Sequence, residues 1–355
     1  MTVLGAGIGI AATGAWLPEA QVATASIVRA GHLEAEQASA TATVSLAVSE
    51  ENSGSGADFA VRAGQAALAR AGQDPADLSL LVHAWINHQG HDFWSPAHYV
   101  ADRLGATTAV PLGVQQMCNG GSVSLELAAA RLLATPGTGP ALVTTGDQFR
   151  GPGFDRWSGD YGVMYGDGGT ALLLRPGTRP GDDFHLLSLV TVAAADLEQV
   201  HRGNDSFSPA PRRHGTAIDV RRVKKAFLVR HGSDLLTQRT LALVGQALEQ
   251  ALAQAGVHPD DPGPALVTVP RLGKAALEAS YLPAIRALTP APVLDLGTRT
   301  GHLGAGDTAA NLHQIRVQEL LAPGQTAVAI SGGGGFSWSV AVVRRPPITN
   351  PREYS

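Results

Sequence analysis

The stretch Val114-Gln115-Gln116-Met117-Cys118-Asn119-Gly120-Gly121-Ser122 follows an apolar run at residues 109–115 and leads into an alanine- and leucine-rich segment at residues 125–133. The first run reads as a strand and the second as a helix, so Cys118 stands on a turn where a strand feeds a helix. At such a turn the helix dipole favours a thiolate over a thiol. Gly120 and Gly121 allow another backbone or a ligand to approach closely. Cys118 is the only cysteine in the chain. Two readings stand at this point: a nucleophile, or a small hydrophobe packed in the interior.

Composition bounds what surrounds this turn. The 355 residues are 44% hydrophobic, enough for one large domain or two fused ones with a substantial core. A single cysteine allows no internal disulfide and fits a reducing compartment. No apolar run reaches the about 18 residues of a membrane helix, and the N-terminus lacks the basic region of a signal peptide. A soluble, cytoplasmic protein without a membrane partner is therefore expected. The formal charge of -4 gives no basic footprint, so nucleic acid is not an expected partner.

On the N-terminal side of Cys118, residues 3–13 read as a strand and residues 38–56 as loop. Residues 58–71 have the spacing of an amphipathic helix, residues 78–85 read as a buried strand, and residues 97–104 as a helix. On its C-terminal side, residues 141–147 form a further strand, and Gly166-Asp167-Gly168-Gly169 turns into another at 170–174. This order predicts a mostly parallel, layered α/β half. The rest of the chain repeats it: a strand at 184–194, a charged insertion at 201–231, helices at 235–255 and 273–288, and a strand at 264–270. Residues 291–297 then run into Thr300-Gly301-His302-Leu303-Gly304-Ala305-Gly306-Asp307 and a helix at 308–321. That unit has the topology of the Cys118 turn. Residues 326–331, the glycines at 332–335 and residues 336–343 close the second half. Two halves, 1–178 and 179–355, are expected to place their turns on a shared face with the site between them.

Taken together, Gly14-Ala15-Trp16-Leu17-Pro18-Glu19, Cys118 ahead of its glycines, Gly166-Asp167-Gly168-Gly169-Thr170-Ala171 and Gly333-Gly334-Gly335-Phe336-Ser337-Trp338 resemble the β-ketoacyl-carrier-protein synthase III group of thiolase-fold ketosynthases. The resemblance spans nearly the whole chain. It implies a thiolase-like fold, two pseudo-symmetric βαβαβ halves in an αβαβα layered arrangement. It also implies a homodimer, a cysteine that takes an acyl group from a thioester, and no cofactor beyond the carrier or coenzyme A of the donor. Condensing members carry a histidine where this chain has Arg271, and a Gly-Asn pair where it has Gly301-His302. They use that histidine and asparagine to hold the thioester oxygen during decarboxylation. The segment 301–307 is instead similar to ester-forming homologues of antibiotic pathways, the cervimycin-type malonyltransferases and chlorothricin-type aryl transferases. There the resemblance implies a Cys-His-Asp triad, matched by Cys118, His302 and Asp307, with the amides of Cys118 and Gly334 as the oxyanion hole.

The chemistry suits those residue types. Acyl transfer to a hydroxyl needs a base beside the acyl-cysteine, a task for a neutral imidazole held in one tautomer by a carboxylate. The expected activity is non-decarboxylating transfer of a malonyl or aromatic acyl group from an acyl carrier protein or coenzyme A thioester. The acceptor is a small-molecule hydroxyl, such as a sugar of a natural product, or a second carrier thiol. A decarboxylative condensing enzyme and a catalytically silent carrier-binding partner are the alternatives. His302 also reads as a turn histidine bonding its own loop, and Asp307 as a helix cap.

Other positions carry weaker expectations. Arg271 either meets a malonyl carboxylate or forms a surface ion pair. Phe154 and Trp157, within residues 148–157, are expected to shape the mouth of the substrate tunnel. His83, His88, His91 and His98 lack metal-ligand spacing, so no metal site is expected and His88 reads as pocket lining or surface. The basic segment 212–225 is a solvent face or a docking face for an acidic carrier protein. The early tryptophan and arginine that pack on the adenine of coenzyme A in the family are not evident near residues 28–50, which slightly favours a carrier-protein donor.

Overall fold

The computed structural model describes residues 2–257 and 263–347, so the end of the second half lies outside the described residues. Its strands are β1 (Thr2–Trp16), β2 (Gln21–Ala23), β3 (Ser45–Ala47), β4 (Leu80–Ala84), β5 (Val110–Val114), β6 (Ala141–Asp147), β7 (Gly168–Pro176), β8 (Phe184–Ala193), β9 (Leu266–Thr268), β10 (Val293–Leu294), β11 (Thr326–Gly333) and β12 (Ser337–Arg344). Ten of them form one sheet in the order β10-β9-β11-β12-β8-β1-β7-β6-β4-β5, and β2 and β3 pair separately.

The two sides of this sheet have the same topology. If the strands of each half are lettered in chain order, both halves read a-e-d-b-c outward from the β1–β8 junction. Residue 178 falls between β7 and β8. The expected mostly parallel sheet is corrected: only β6-β4-β5 and β11-β9-β10 run parallel, and the middle of the sheet is antiparallel. Parallel neighbours need a crossover helix, whereas β11 and β12 are joined by a short glycine turn that can only reverse direction.

Both faces of the sheet are covered, which is why its strands read as continuous apolar runs rather than alternating ones. Along β7, Leu172 and Leu174 pack on one side with Leu125, Ala129 and Leu132 of the Gly120–Ala134 helix. Ala171 and Leu173 pack on the other with Ala60, Ala63 and Ala67 of the Gly56–Ala71 helix. Ser55 and Asp58 close a capping box at the start of that helix. In the second half, the Asp234–Gln254 helix covers Val190, Val328 and Val340 through Val244, Ala247, Leu248 and Ala251. The boundaries differ from the sequence reading most in three places. Residues 38–56 include part of a short helix, Ala35–Thr41, and β3; the charged insertion contains the Val220–His231 helix; and the strand expected at 291–297 is reduced to β10.

The Gly120–Ala134 helix and the Asp307–Val317 helix lie face to face between the layers. Their first turns meet where Ser122 Oγ and Thr308 Oγ1 are 2.9 Å apart in the interior. A Cβ at Gly121 would stand 2.3 Å from the carbonyl oxygen of Ala305. Glycine at 121 is what lets the two turns touch, and each turn carries one of the candidate catalytic residues.

Candidate active site

Cys118 sits in a single 3-10 turn, Met117–Asn119, at the foot of the Gly120–Ala134 helix. Met117 just ahead of it has φ +49°, a left-handed conformation that costs a non-glycine residue about 1–3 kcal/mol and persists only where its surroundings enforce it. Opposite, His302 is held by its neighbours on both sides: its N–H donates to the Met164 carbonyl and its own carbonyl accepts from the Gly166 N–H, each at 2.9 Å. Gly301 and Gly304 take positive φ of +75° and +63°, which bends this turn tightly enough to bring Asp307 back onto His302. Asp147, at the end of β6, bonds the N–H groups of Ile86, Asn87 and Ala305, so the end of a first-half strand anchors the His302 turn.

His302 Nδ1 lies 2.6 Å from Asp307 Oδ2, and both residues are buried. Asp307 also accepts from the N–H of Leu303 at 2.9 Å and of Arg271 at 2.8 Å. Burial favours the neutral imidazole, but the charges of Asp307 and Cys118 outweigh it and raise His302 well above its ordinary pKa. For Asp307, burial is likewise outweighed, by His302, Arg271 and the Leu303 N–H, and its carboxyl is held below the usual range. His302 Nε2 is buried with no hydrogen-bond partner among the described residues. The dyad fixes Nδ1, and Nε2 is the nitrogen left for Cys118, whose side chain helps to raise the His302 pKa.

Cys118 and His302 line the same cavity, of about 300 Å³. Its walls are mostly apolar, including Phe149, Phe154, Val163, Leu272 and Phe336. Gly332, Gly333 and Gly334 border it beside Cys118. The Gly166-Asp167-Gly168-Gly169 motif builds one wall indirectly. Asp167 takes the Phe149 N–H and both terminal nitrogens of Arg156, which ties down the 148–156 loop, while a Cβ at Gly166 would strike the Thr300 carbonyl at 1.9 Å.

No protein-family model matches the chain. It is 33% identical to the ChlB3 acyltransferase, whose structure superposes with a TM-score of 0.84 over 96% of this chain and 98% of that one. The chain belongs to the β-ketoacyl-acyl-carrier-protein synthase III-like family of thiolase-fold proteins. The β-ketoacyl-[acyl-carrier-protein] synthase III of Roseiflexus sp. (strain RS-1) is 26% identical over 291 residues, 81% of this chain and 82% of that protein. The 3-oxoacyl-(acyl carrier protein) synthase III of Pseudomonas aeruginosa PAO1 shares the fold, with a TM-score of 0.75 at 20% identity over 97% of this chain and 100% of that one. These relatives are named as synthases, and ChlB3 as an acyltransferase.

Arg271 is not among the residues that line the cavity. Its guanidinium bonds Asn311 at 3.0 Å, Thr300 at 2.5 Å and Gln314 at 3.2 Å inside the protein. It is buried, so the surface ion pair is not what forms, and neither is a cavity-facing cation. Phe154 lines the cavity. Trp157 packs instead with Leu33, Leu46 and Met164, and His88 is half exposed beside Asp92. His83 is buried between Thr144 and Gln89, and no cluster of three or more metal-ligating side chains occurs among the described residues. Nor is any described helix long and apolar enough to cross a membrane.

Four cavity residues escaped the sequence reading. Lys224, within the basic segment, points inward and pairs with Asp160 at 2.5 Å, and Asp160 also accepts the Tyr165 hydroxyl at 2.8 Å. The Tyr165 ring meets the His302 ring edge-on with centroids 5.1 Å apart. His201 stacks on Phe336, and burial, with Lys224 nearby, pushes it down to about 4. The only sequence signal was one lysine at helical spacing within a run of exposed cations.

Proposed function

We propose that this chain is a non-decarboxylating acyltransferase working through an acyl-Cys118 intermediate, with Cys118, His302 and Asp307 as its triad. The observation that carries the reading is the buried imidazole of His302, locked to Asp307 through Nδ1 and leaving Nε2 unpartnered on the cavity that Cys118 lines. In the first half-reaction His302 takes the thiol proton and the sulfur attacks the thioester carbonyl. A new carbon–sulfur bond forms, the old one breaks, and the proton leaves on the donor thiol. In the second, His302 takes the proton of an acceptor hydroxyl or thiol, whose oxygen or sulfur bonds the acyl carbon as Cys118 departs and regains a proton. Asp307 keeps the tautomer and stabilises the imidazolium. The backbone N–H groups of Cys118 and Gly334 are the donors proposed for the carbonyl oxygen.

The donor is an acyl thioester of a carrier protein or coenzyme A, and the acyl group is malonyl or aromatic; the apolar, aromatic cavity suits the aromatic one. Condensation is disfavoured because Arg271, in the position of the condensing histidine, spends its donors on Asn311, Thr300 and Gln314. A homodimer is proposed from the edge of the sheet: β5 has a neighbour on one side only, and Val110 and Leu112 along it are 50% and 44% exposed. A free apolar edge of this kind pairs with another chain, here a second copy.

The test is intact-mass measurement after incubation with malonyl, aryl and simple acyl thioesters, with carbon dioxide release followed in parallel. Acyl mass on Cys118 without carbon dioxide is expected. No adduct from any donor removes the role given to the cysteine, and stoichiometric carbon dioxide from malonyl thioester points to condensation.

A further inference from the structure

Asn119 follows the nucleophile, is fully buried, and uses both hydrogens of its amide. Nδ2 donates to Ser337 Oγ at 3.0 Å and to Ser339 Oγ at 2.9 Å. Ser339 Oγ is 2.8 Å from Thr191 Oγ1, and Thr191 donates to the buried Glu126 Oε2 at 2.6 Å. A carboxylate only accepts, so Thr191 spends its proton on Glu126 and must accept from Ser339. Along the Ser339 branch every bond therefore runs one way, from the Asn119 amide to Glu126. The path closes a ring, since Glu126 lies on the Gly120–Ala134 helix that Asn119 precedes, with β8 and β12 between them.

That ring grips the other side of the cavity. Ser337 is paired with Gly333 across the β11–β12 turn. A Cβ on Gly333 would stand 2.3 Å from the Asn119 nitrogen and 3.0 Å from the Cys118 nitrogen, so the glycine turn lies directly against the amides of the nucleophile turn. Asn119 Oδ1 meanwhile has no partner among the described residues. An unmet buried acceptor destabilises, so what this side chain contributes is its pair of donors.

We propose that Asn119 is a positioning residue that fixes the Cys118 amide against the Gly333–Gly334 turn, so that two backbone N–H groups converge on the thioester oxygen. This rests on the acyl-cysteine reading given above. The test compares two reactions of the same sulfur. Attack on a thioester develops charge on a carbonyl oxygen and needs the converging donors, whereas alkylation by iodoacetamide does not.

Asn119→Ala is expected to slow acylation by a thioester about 10- to 100-fold, a part of what losing an oxyanion donor removes, while alkylation stays within about twofold. Ser339→Ala, which leaves one amide hydrogen on Ser337, is expected to slow acylation less and serves if Asn119→Ala does not fold. Parallel losses in both reactions, or no loss of acylation, overturn the proposal while leaving the acyl-cysteine intact. A wild-type protein that alkylates yet accepts no acyl group from any thioester overturns both.

Discussion

Asp307 Oδ2 receives two groups at once, the imidazole Nδ1 of His302 at 2.6 Å and the backbone N–H of Arg271 at 2.8 Å. The carboxylate is therefore aimed by the main chain before the imidazole engages it. Asp307→Asn keeps the shape but removes the charge that stabilises the imidazolium, and it sets an NH2 group against a backbone N–H that the carboxylate accepted. Acyl transfer is expected to fall about 10³- to 10⁴-fold, measured as product formed from pre-acylated enzyme.

The same pair sets a stability window. Asp307 is lowered from 3.8, so its contribution is complete above that value and is lost as pH falls through the folded pKa; His302 is raised from 6.5, so its contribution is complete below 6.5 and is lost as pH rises through its folded pKa. The gap in melting temperature between wild type and Asp307→Asn is therefore expected to be widest between pH 3.8 and 6.5 and to narrow on either side. Thermal unfolding across pH checks it. A gap that widens steadily above neutral pH would show the sign to be wrong.

His302→Ala removes the proton acceptor beside Cys118. The pH profile of alkylation by iodoacetamide is expected to differ from that of wild type, with a slower rate at neutral pH. Coincident profiles would mean that the imidazole does not act on the sulfur.

Gly333 and Gly334 should differ in tolerance. A methyl on Gly333 meets backbone nitrogens, 2.3 Å from Asn119, whereas one on Gly334 meets the His201 ring at 2.5 Å, a side chain able to turn. Gly333→Ala is expected to cost about 1–3 kcal/mol and most of the acylation rate, and Gly334→Ala distinctly less, by chemical denaturation and intact mass.

Arg271→Met should act on the fold rather than on substrate choice. Its loss strands Asn311 and Gln314 and weakens the Asp307 surroundings, for about 2–3 kcal/mol of stability. The ratio of malonyl to acetyl transfer is expected to stay unchanged. A selective loss of malonyl transfer would place the guanidinium in the cavity during turnover.

By itself the sequence determined the local units: strand, glycine turn and helix at Cys118 and again at His302, and the glycine loop between the last two strands. Those follow from short-range period and turn chemistry, and the Cβ contacts at Gly121, Gly166 and Gly333 explain why glycine stands there. Tertiary structure decided what lay beyond that range. Asn119 and Ser339 are 220 residues apart in the chain, and Arg271 and Asp307 are 36 apart, so neither bond leaves a periodic trace. Whether Arg271 and Lys224 point outward or inward was also settled there, because a long cation follows the partner that can neutralise or bond it. For Lys224 that partner is Asp160, delivered by a loop that only the folded chain brings to the cavity wall.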